Sequence, residues 1–131
     1  MLLFRPEKNF ERLNVSHKQL GFPSFSNTEY VECLKELIKV EKKWIPNKPM
    51  HSLYIRPTSI CMDNKIGISK IAKMKTFVVL SPVGPYYPGG FVPTKLYCDT
   101  NHVRAWPLGF GDKKLGGNYA PTLKTAKEAQ V

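Results

Sequence analysis

A chain of 131 residues is long enough for one modest domain and too short to be a complete multidomain enzyme. Hydrophobic residues make up 42% and charged residues 23% of the chain, which excludes wholesale disorder. The formal charge of +10 favours anionic partners, such as nucleic acid, an acidic membrane surface or small phosphorylated and carboxylated ligands.

Two helices are predicted before residue 47. Pro6 is a favourable first helical residue and Gly21 is typical of the position after a helix, which predicts a short helix between them. Ser26 with Glu29 three residues later forms a capping box, and the helix it opens ends by Pro46. The apolar stripe of this second helix consists of Tyr30, Leu34, Leu37, Ile38 and Ile45.

Two strands are predicted in the middle of the chain. Residues 52–56 are rich in aromatic and β-branched side chains, and the strand is expected to end at Pro57. Residues 76–80 form the second candidate. Asp63-Asn64 and Gly67 indicate turns between the two strands.

The second half of the chain is richer in proline and glycine. Residues 81–93 predict a linker or a functional loop, because their sequence suits neither a helix nor a regular ladder. Residues 95–98 and 103–106 predict two further strands around a turn at 99–101. A helical pattern begins at Pro121 and continues to Val131 without a C-cap, from which we expect the natural protein to continue.

Cysteine usage and hydropathy restrict the environment of the protein. Cys33, Cys61 and Cys98 have spacings that match neither a zinc ribbon nor a disulfide framework, so we expect reduced thiols and no metal. No apolar stretch approaches the roughly 20 residues that cross a bilayer, and the N-terminus resembles neither a signal peptide nor a transit peptide. These features predict a cytoplasmic or organellar protein outside the membrane.

Two places could carry chemistry. Arg56 lies in an apolar strand beside Tyr54, so its charge requires an anionic or strongly accepting partner; a structural ion pair is the alternative. Residues 109–119 combine glycines, which permit close approach of a ligand, with the lysine pair Lys113-Lys114. The Walker phosphate-loop pattern is absent from this stretch.

The segment Lys114-Leu115-Gly116-Gly117-Asn118-Tyr119 resembles the Lys-x-Gly-Gly-Asn-Tyr motif of branched-chain amino acid aminotransferases, which are class IV pyridoxal-phosphate enzymes. Four further segments resemble that family in its order: Phe4-Arg5-Pro6 with Asn9 and Arg12, residues 52–58, residues 80–86 and residues 103–106. One departure concerns the loop before the motif. The family has two adjacent glycines after Arg-Ala-Trp, whereas this chain has Pro107-Leu108-Gly109.

The resemblance implies roles for six residues. Lys114 matches the lysine that attaches covalently to the aldehyde of pyridoxal 5'-phosphate, Arg12 matches the arginine that holds its phosphate, and Tyr119 matches the tyrosine that contacts its phenolic oxygen. The positions that gather the substrate carboxylate and line an apolar pocket are Tyr54, Arg56 and Tyr86. The implied reaction transfers the amino group of leucine, isoleucine or valine to 2-oxoglutarate. The implied partners are amino acids, 2-oxo acids and a second copy of the chain, with no nucleic acid and no membrane; the expected location is cytoplasmic, and a mitochondrial location stays open for the full-length protein.

The implied fold is α/β (α+β), part of the D-amino-acid-aminotransferase-like fold. Residues 1–83 would be the remainder of the small domain, 84–94 the interdomain loop and 95–131 the beginning of the large cofactor-binding domain. Two alternatives remain open. Within the family, the chain could be a truncated non-catalytic relative or an incomplete gene model. Outside the family, the charge would suit a small basic nucleic-acid-binding protein, although its lysines are not interleaved with stacking aromatic residues.

Overall fold

The computed structural model describes residues 2–87 and 89–130, which combine helices with one antiparallel pair of strands. Their contacts group the chain into two compact units: Met1–Asn27 with Pro93–Val131, and Thr28–Val92. The division into a small domain at 1–83, a loop at 84–94 and a large domain at 95–131 stays a prediction. None of the described helices is long and apolar enough to span a membrane.

The first unit is organised around helix α1, Pro6–Leu20. The predicted boundaries are confirmed: Pro6 lies in the first turn, and Gly21 ends the helix with a left-handed φ of 71°. The core of this unit contains Phe10, which is 1% exposed, and the buried ring of His17. His17 Nδ1 lies 2.8 Å from the carbonyl oxygen of Pro23, which ties the end of α1 to the following turn.

The strands predicted at 95–98 and 103–106 are wrong: both segments are irregular. Most of their residues are exposed, and the described part of the chain offers them no partner strand, without which extended backbone gains no ladder hydrogen bonds. The turn between them is present. The carboxylate of Asp99 accepts hydrogen bonds from the backbone N–H groups of Asn101 and His102.

The predicted C-terminal helix exists as α3, Thr122–Glu128, but it is shorter than its sequence pattern. Residues 129–130 form a turn in which the N–H of Gln130 donates to the carbonyl of Lys127, so the predicted continuation of the helix through residues 129–130 is wrong. Val131 lies outside the described residues. The hydroxyl of Thr125 donates to Asp99, which anchors α3 to the turn at 99–102.

The second unit contains helix α2, Asn27–Val40, apart from its first residue. It also contains a 3₁₀ turn at Lys42–Trp44 and strands β1, Ser52–Cys61, and β2, Met74–Val83. Leu34 and Ile38 are the buried residues of α2. The helix ends at Val40, before Pro46 as predicted, and Ile45, the last residue of the predicted stripe, lies beyond both the helix and the 3₁₀ turn. The strands pair antiparallel, from Ser52 opposite Val83 to Cys61 opposite Met74.

The structure places one end of each strand later than the sequence predicted. β1 does not end at Pro57, and β2 extends to Val83, into the segment predicted to be irregular from Ser81. Proline lacks only a donor, so it fits a ladder wherever its nitrogen faces away from the partner strand. Pro57 lies opposite Val78 and Pro82 lies opposite Leu53, four positions apart along β1 and therefore in the same phase of the ladder.

Candidate functional site

The centre of the candidate site is a contact between two residues of the glycine-rich motif. Lys114 Nζ donates a hydrogen bond of 2.9 Å to the phenolic oxygen of Tyr119 and lies 5.1 Å from the centre of its ring. Both side chains are accessible; Tyr119 is 44% exposed. An amine that contacts a phenol at an open surface is free to meet a small molecule from solution.

The electrostatics of Tyr119 reveal which charges surround this pair. The hydrogen bond from Lys114 lowers the pKa of the Tyr119 phenol below its ordinary value of 10.0, and the positive charges of Lys114, Arg104 and Arg12 lower it further. Three of the residues predicted from the sequence, Arg12, Lys114 and Tyr119, are thus close enough to interact electrostatically. Arg12 itself donates from Nη2 to the side-chain oxygen of Asn9, at 3.0 Å.

Arg104 is a member of this cluster that sequence reasoning missed. Its guanidinium lies 5.8 Å from the centre of the Tyr119 ring, and its Nη1 donates to the carbonyl of Gly111 at 3.3 Å. The signal was present, because Arg104 stands among apolar residues just as Arg56 does.

The loop that carries Lys114 is held by a buried amide. Asn118 is 4% exposed, and its side-chain nitrogen donates to the carbonyl oxygens of Phe110 and Lys113, both at 2.8 Å. Leu115 is also buried, which places the exposed Lys114 on a loop fixed from beneath.

Glycines in this region serve two different purposes. A Cβ on Gly111 would collide with Ala105, so close backbone approach requires glycine there. By contrast, a Cβ on Gly116 or Gly117 would meet nothing within 4 Å in the described structure. The motif glycines therefore border open space rather than satisfying internal packing.

The two neighbouring lysines differ in their partners. Lys113 forms an ion pair with Asp112, and the hydrogen bond from Lys113 lowers the pKa of that carboxyl group. Among the ion pairs of residues 2–87 and 89–130, none includes Lys114. Lys114 is therefore the lysine whose amine faces a phenol instead of a carboxylate.

The three residues predicted for substrate binding belong to the second unit. Tyr54 and Arg56 share one face of β1, and the guanidinium of Arg56 lies 5.1 Å from the centre of the Tyr54 ring. Val79, directly opposite Arg56, and Phe77 lie on the same face and are partly exposed; sequence reasoning missed both. Tyr86 is largely exposed, with an edge-to-face contact to Tyr87.

The chain is similar in sequence to known proteins along nearly its whole length. No family model matches it. It is 46% identical over 127 residues to a branched-chain-amino-acid aminotransferase of Dictyostelium discoideum, covering 97% of this chain and 34% of that protein. It is 45% identical to the mitochondrial enzyme of that name from Schizosaccharomyces pombe, covering 97% of this chain and 30% of the enzyme. It is 43% identical to the cytosolic one from Ovis aries, covering 97% and 33%.

The three relatives match nearly the same share of this chain and of their own length. The chain spans about a third of the length of these curated relatives, while nearly all of its own residues take part in the match. The relatives include cytosolic and mitochondrial proteins. Along 97% of its length, the chain is a homologue of the branched-chain-amino-acid aminotransferases.

Proposed function

We propose that this chain carries the cofactor-binding lysine and part of the substrate site of a branched-chain amino acid transaminase. The reaction is transfer of the amino group of leucine, isoleucine or valine to 2-oxoglutarate, with pyridoxal 5'-phosphate as cofactor. The observation that carries the proposal is the 2.9 Å contact between Lys114 Nζ and the Tyr119 phenol, with Arg12 and Arg104 acting on the same phenol. The names of the relatives supply the substrate class.

The residues present fit the cofactor. An amine is the group that reacts with an aldehyde, a phenol can contact a phenolic oxygen, and guanidinium groups suit a phosphate; the described structure combines all three at Lys114, Tyr119 and the arginine pair. The open space beside Gly116 and Gly117 leaves room for an approaching ring. When bound, pyridoxal phosphate supplies an electron sink for the carbon that loses a proton.

In this proposal each residue of the chain has a distinct task. Lys114 binds the cofactor and, as a free amine, moves the proton at the substrate Cα. Tyr119 orients the cofactor, Arg12 holds its phosphate, and Arg104 adds positive charge beside Tyr119. A lysine acts as a base only in its neutral form, so the transfer requires Lys114 to have lost its proton.

Substrate recognition is proposed for the exposed face of β1 and β2. Arg56 belongs to none of the ion pairs among the described residues, so its charge is available to a substrate carboxylate. Val79 and Phe77 beside it offer an apolar surface of the kind that a branched aliphatic side chain requires. Tyr86 is proposed to contribute a further aromatic wall. The D-amino-acid-aminotransferase-like fold, the domain division at 83 and 94, and a homodimer belong to the same proposal.

Chemical labelling tests the central role of Lys114. After incubation with pyridoxal phosphate and reduction with borohydride, peptide mass spectrometry should locate the label mainly on Lys114. Lys114→Ala should abolish that preference, whereas the matched control Lys113→Ala should retain it. Label spread evenly over the exposed lysines would refute the proposal.

A coupled assay with leucine and 2-oxoglutarate separates the catalytic reading from the non-catalytic alternative. Turnover that disappears in Lys114→Ala would establish catalysis by the chain itself. Preferential labelling of Lys114 without turnover would identify a relative that binds the cofactor and does not complete the reaction. For the isolated chain we expect the second result, because residues 95–106 are irregular and expose apolar side chains that residues 2–87 and 89–130 do not cover with a second layer.

A further inference from the structure

Ser16 is a buried polar residue of α1 that the proposed chemistry does not use. Its exposed fraction is 3%. Its hydroxyl oxygen accepts a hydrogen bond of 3.2 Å from the backbone N–H of Lys114, a residue 98 positions away in the sequence. The bond joins α1 to the loop of the motif at the residue that carries the amine.

Arg12 lies one helical turn before Ser16, so the two side chains belong to the same face of α1. The charge of Arg12 acts on the phenol of Tyr119, while Ser16 holds the main chain of Lys114. One face of one helix thus acts on both members of the Lys114–Tyr119 pair.

We propose that Ser16 is a positioning residue that holds Lys114 at hydrogen-bond distance from Tyr119 through the Lys114 main chain. The proposal rests on the function proposed above, in which that amine binds the cofactor. Asn118 fixes the loop from within, by its bonds to Phe110 and Lys113, whereas Ser16 fixes the loop to α1 and hence to Arg12. Without the Ser16 bond, the main chain of Lys114 loses its attachment to α1, so the Lys114 amine is held less firmly at Tyr119 and the loop loses its place beside Arg12.

The test compares Ser16→Ala with Ser16→Thr, which retains a hydroxyl, and with Ser24→Ala, which removes an exposed hydroxyl from the same unit. The first readout is the pKa of Tyr119, measured by carbon NMR on chain in which the tyrosine Cζ atoms are labelled. The Tyr119→Phe variant identifies the signal of Tyr119. We expect Ser16→Ala to raise that pKa toward its ordinary value, while the other two variants retain the wild-type titration. The second readout is the share of pyridoxal phosphate label on Lys114, which should fall about fivefold in Ser16→Ala, the usual effect of one hydrogen bond.

The outcomes separate this proposal from the function on which it rests. If the wild-type chain shows no preference for Lys114 in labelling, but Ser16→Ala still raises the Tyr119 pKa, the proposed function fails and the positioning role stands. A folded Ser16→Ala that matches Ser24→Ala in both readouts overturns the positioning role. Where Ser16→Ala does not fold, Ser16→Cys decides, because a thiol keeps the size of the side chain and is only a weak acceptor.

Discussion

Replacing Asn118 by alanine removes both hydrogen bonds that hold the motif loop from within. The carbonyl of Phe110 keeps a second donor, the backbone N–H of Lys113, so the loss of that bond costs about 1 kcal/mol. Loss of the bond to the Lys113 carbonyl costs about the same, because Lys113 is partly exposed and solvent can reach it. The total of about 2 kcal/mol corresponds to a roughly 30-fold increase in local opening of the loop.

Hydrogen exchange of the backbone amides of Lys113, Asn118 and Tyr119 measures that opening, because each donates a bond within the loop. Asn118→Asp should open the loop further than Asn118→Ala, since a carboxylate has the same shape but presents oxygen to two carbonyl oxygens. Asn64→Ala, in the loop between β1 and β2, is the matched control. Unchanged protection in Asn118→Ala, or an aspartate variant better protected than the alanine variant, would refute the reasoning.

Four further results are expected. Phe10→Ala, at the most deeply buried aromatic residue, should lower the free energy of unfolding by about 3 to 5 kcal/mol in a urea titration. Leu108 has a φ of 62° and is fully exposed, so Leu108→Gly should leave that free energy unchanged or raise it by up to about 1 kcal/mol. The hydrogen bond from Thr125 holds the pKa of Asp99 well below its ordinary value of 3.8. The stability that Asp99 contributes is therefore complete above about pH 4 and is lost as the pH falls further. Acid unfolding, monitored by circular dichroism, should begin at a higher pH in Thr125→Val than in the wild-type chain. In an otherwise full-length protein, Arg56→Ala should weaken binding of branched-chain 2-oxo acids by about 2 to 5 kcal/mol in calorimetry, and an unchanged affinity would contradict the carboxylate role.

The sequence predicted correctly those parts of the fold that depend only on residues close to one another along the chain. Proline at the start and glycine at the end define α1, because both act through their own backbone angles. The strands predicted at 95–98 and 103–106 are wrong because a segment's own residues indicate that it could form a strand, but not whether a partner strand exists. The end of β1 was placed too early at Pro57 because the phase of a ladder is a property of two strands.

The same distinction applies to the candidate site. The motif identified Lys114 and Tyr119, five residues apart, and their contact is a local one. Ser16 could not be found in this way, since its bond to Lys114 spans 98 positions and nothing near Ser16 in the sequence marks it. Arg104 had a local signal, its apolar neighbours in the sequence, and that signal was overlooked.

Pro57 and Pro82 restrict the register in which β1 and β2 can pair. In an antiparallel ladder, the residues whose N–H groups point toward the partner alternate with those whose N–H groups point away, in both strands at once. In the observed register both prolines can face away; sliding β1 by one residue along β2 would turn one of them inward, against a carbonyl left without a donor. The same slide would separate the face of Arg56 from that of Val79. Because proline fits only where its nitrogen faces away from the partner strand, the two prolines select the pairing that keeps Arg56 beside Val79.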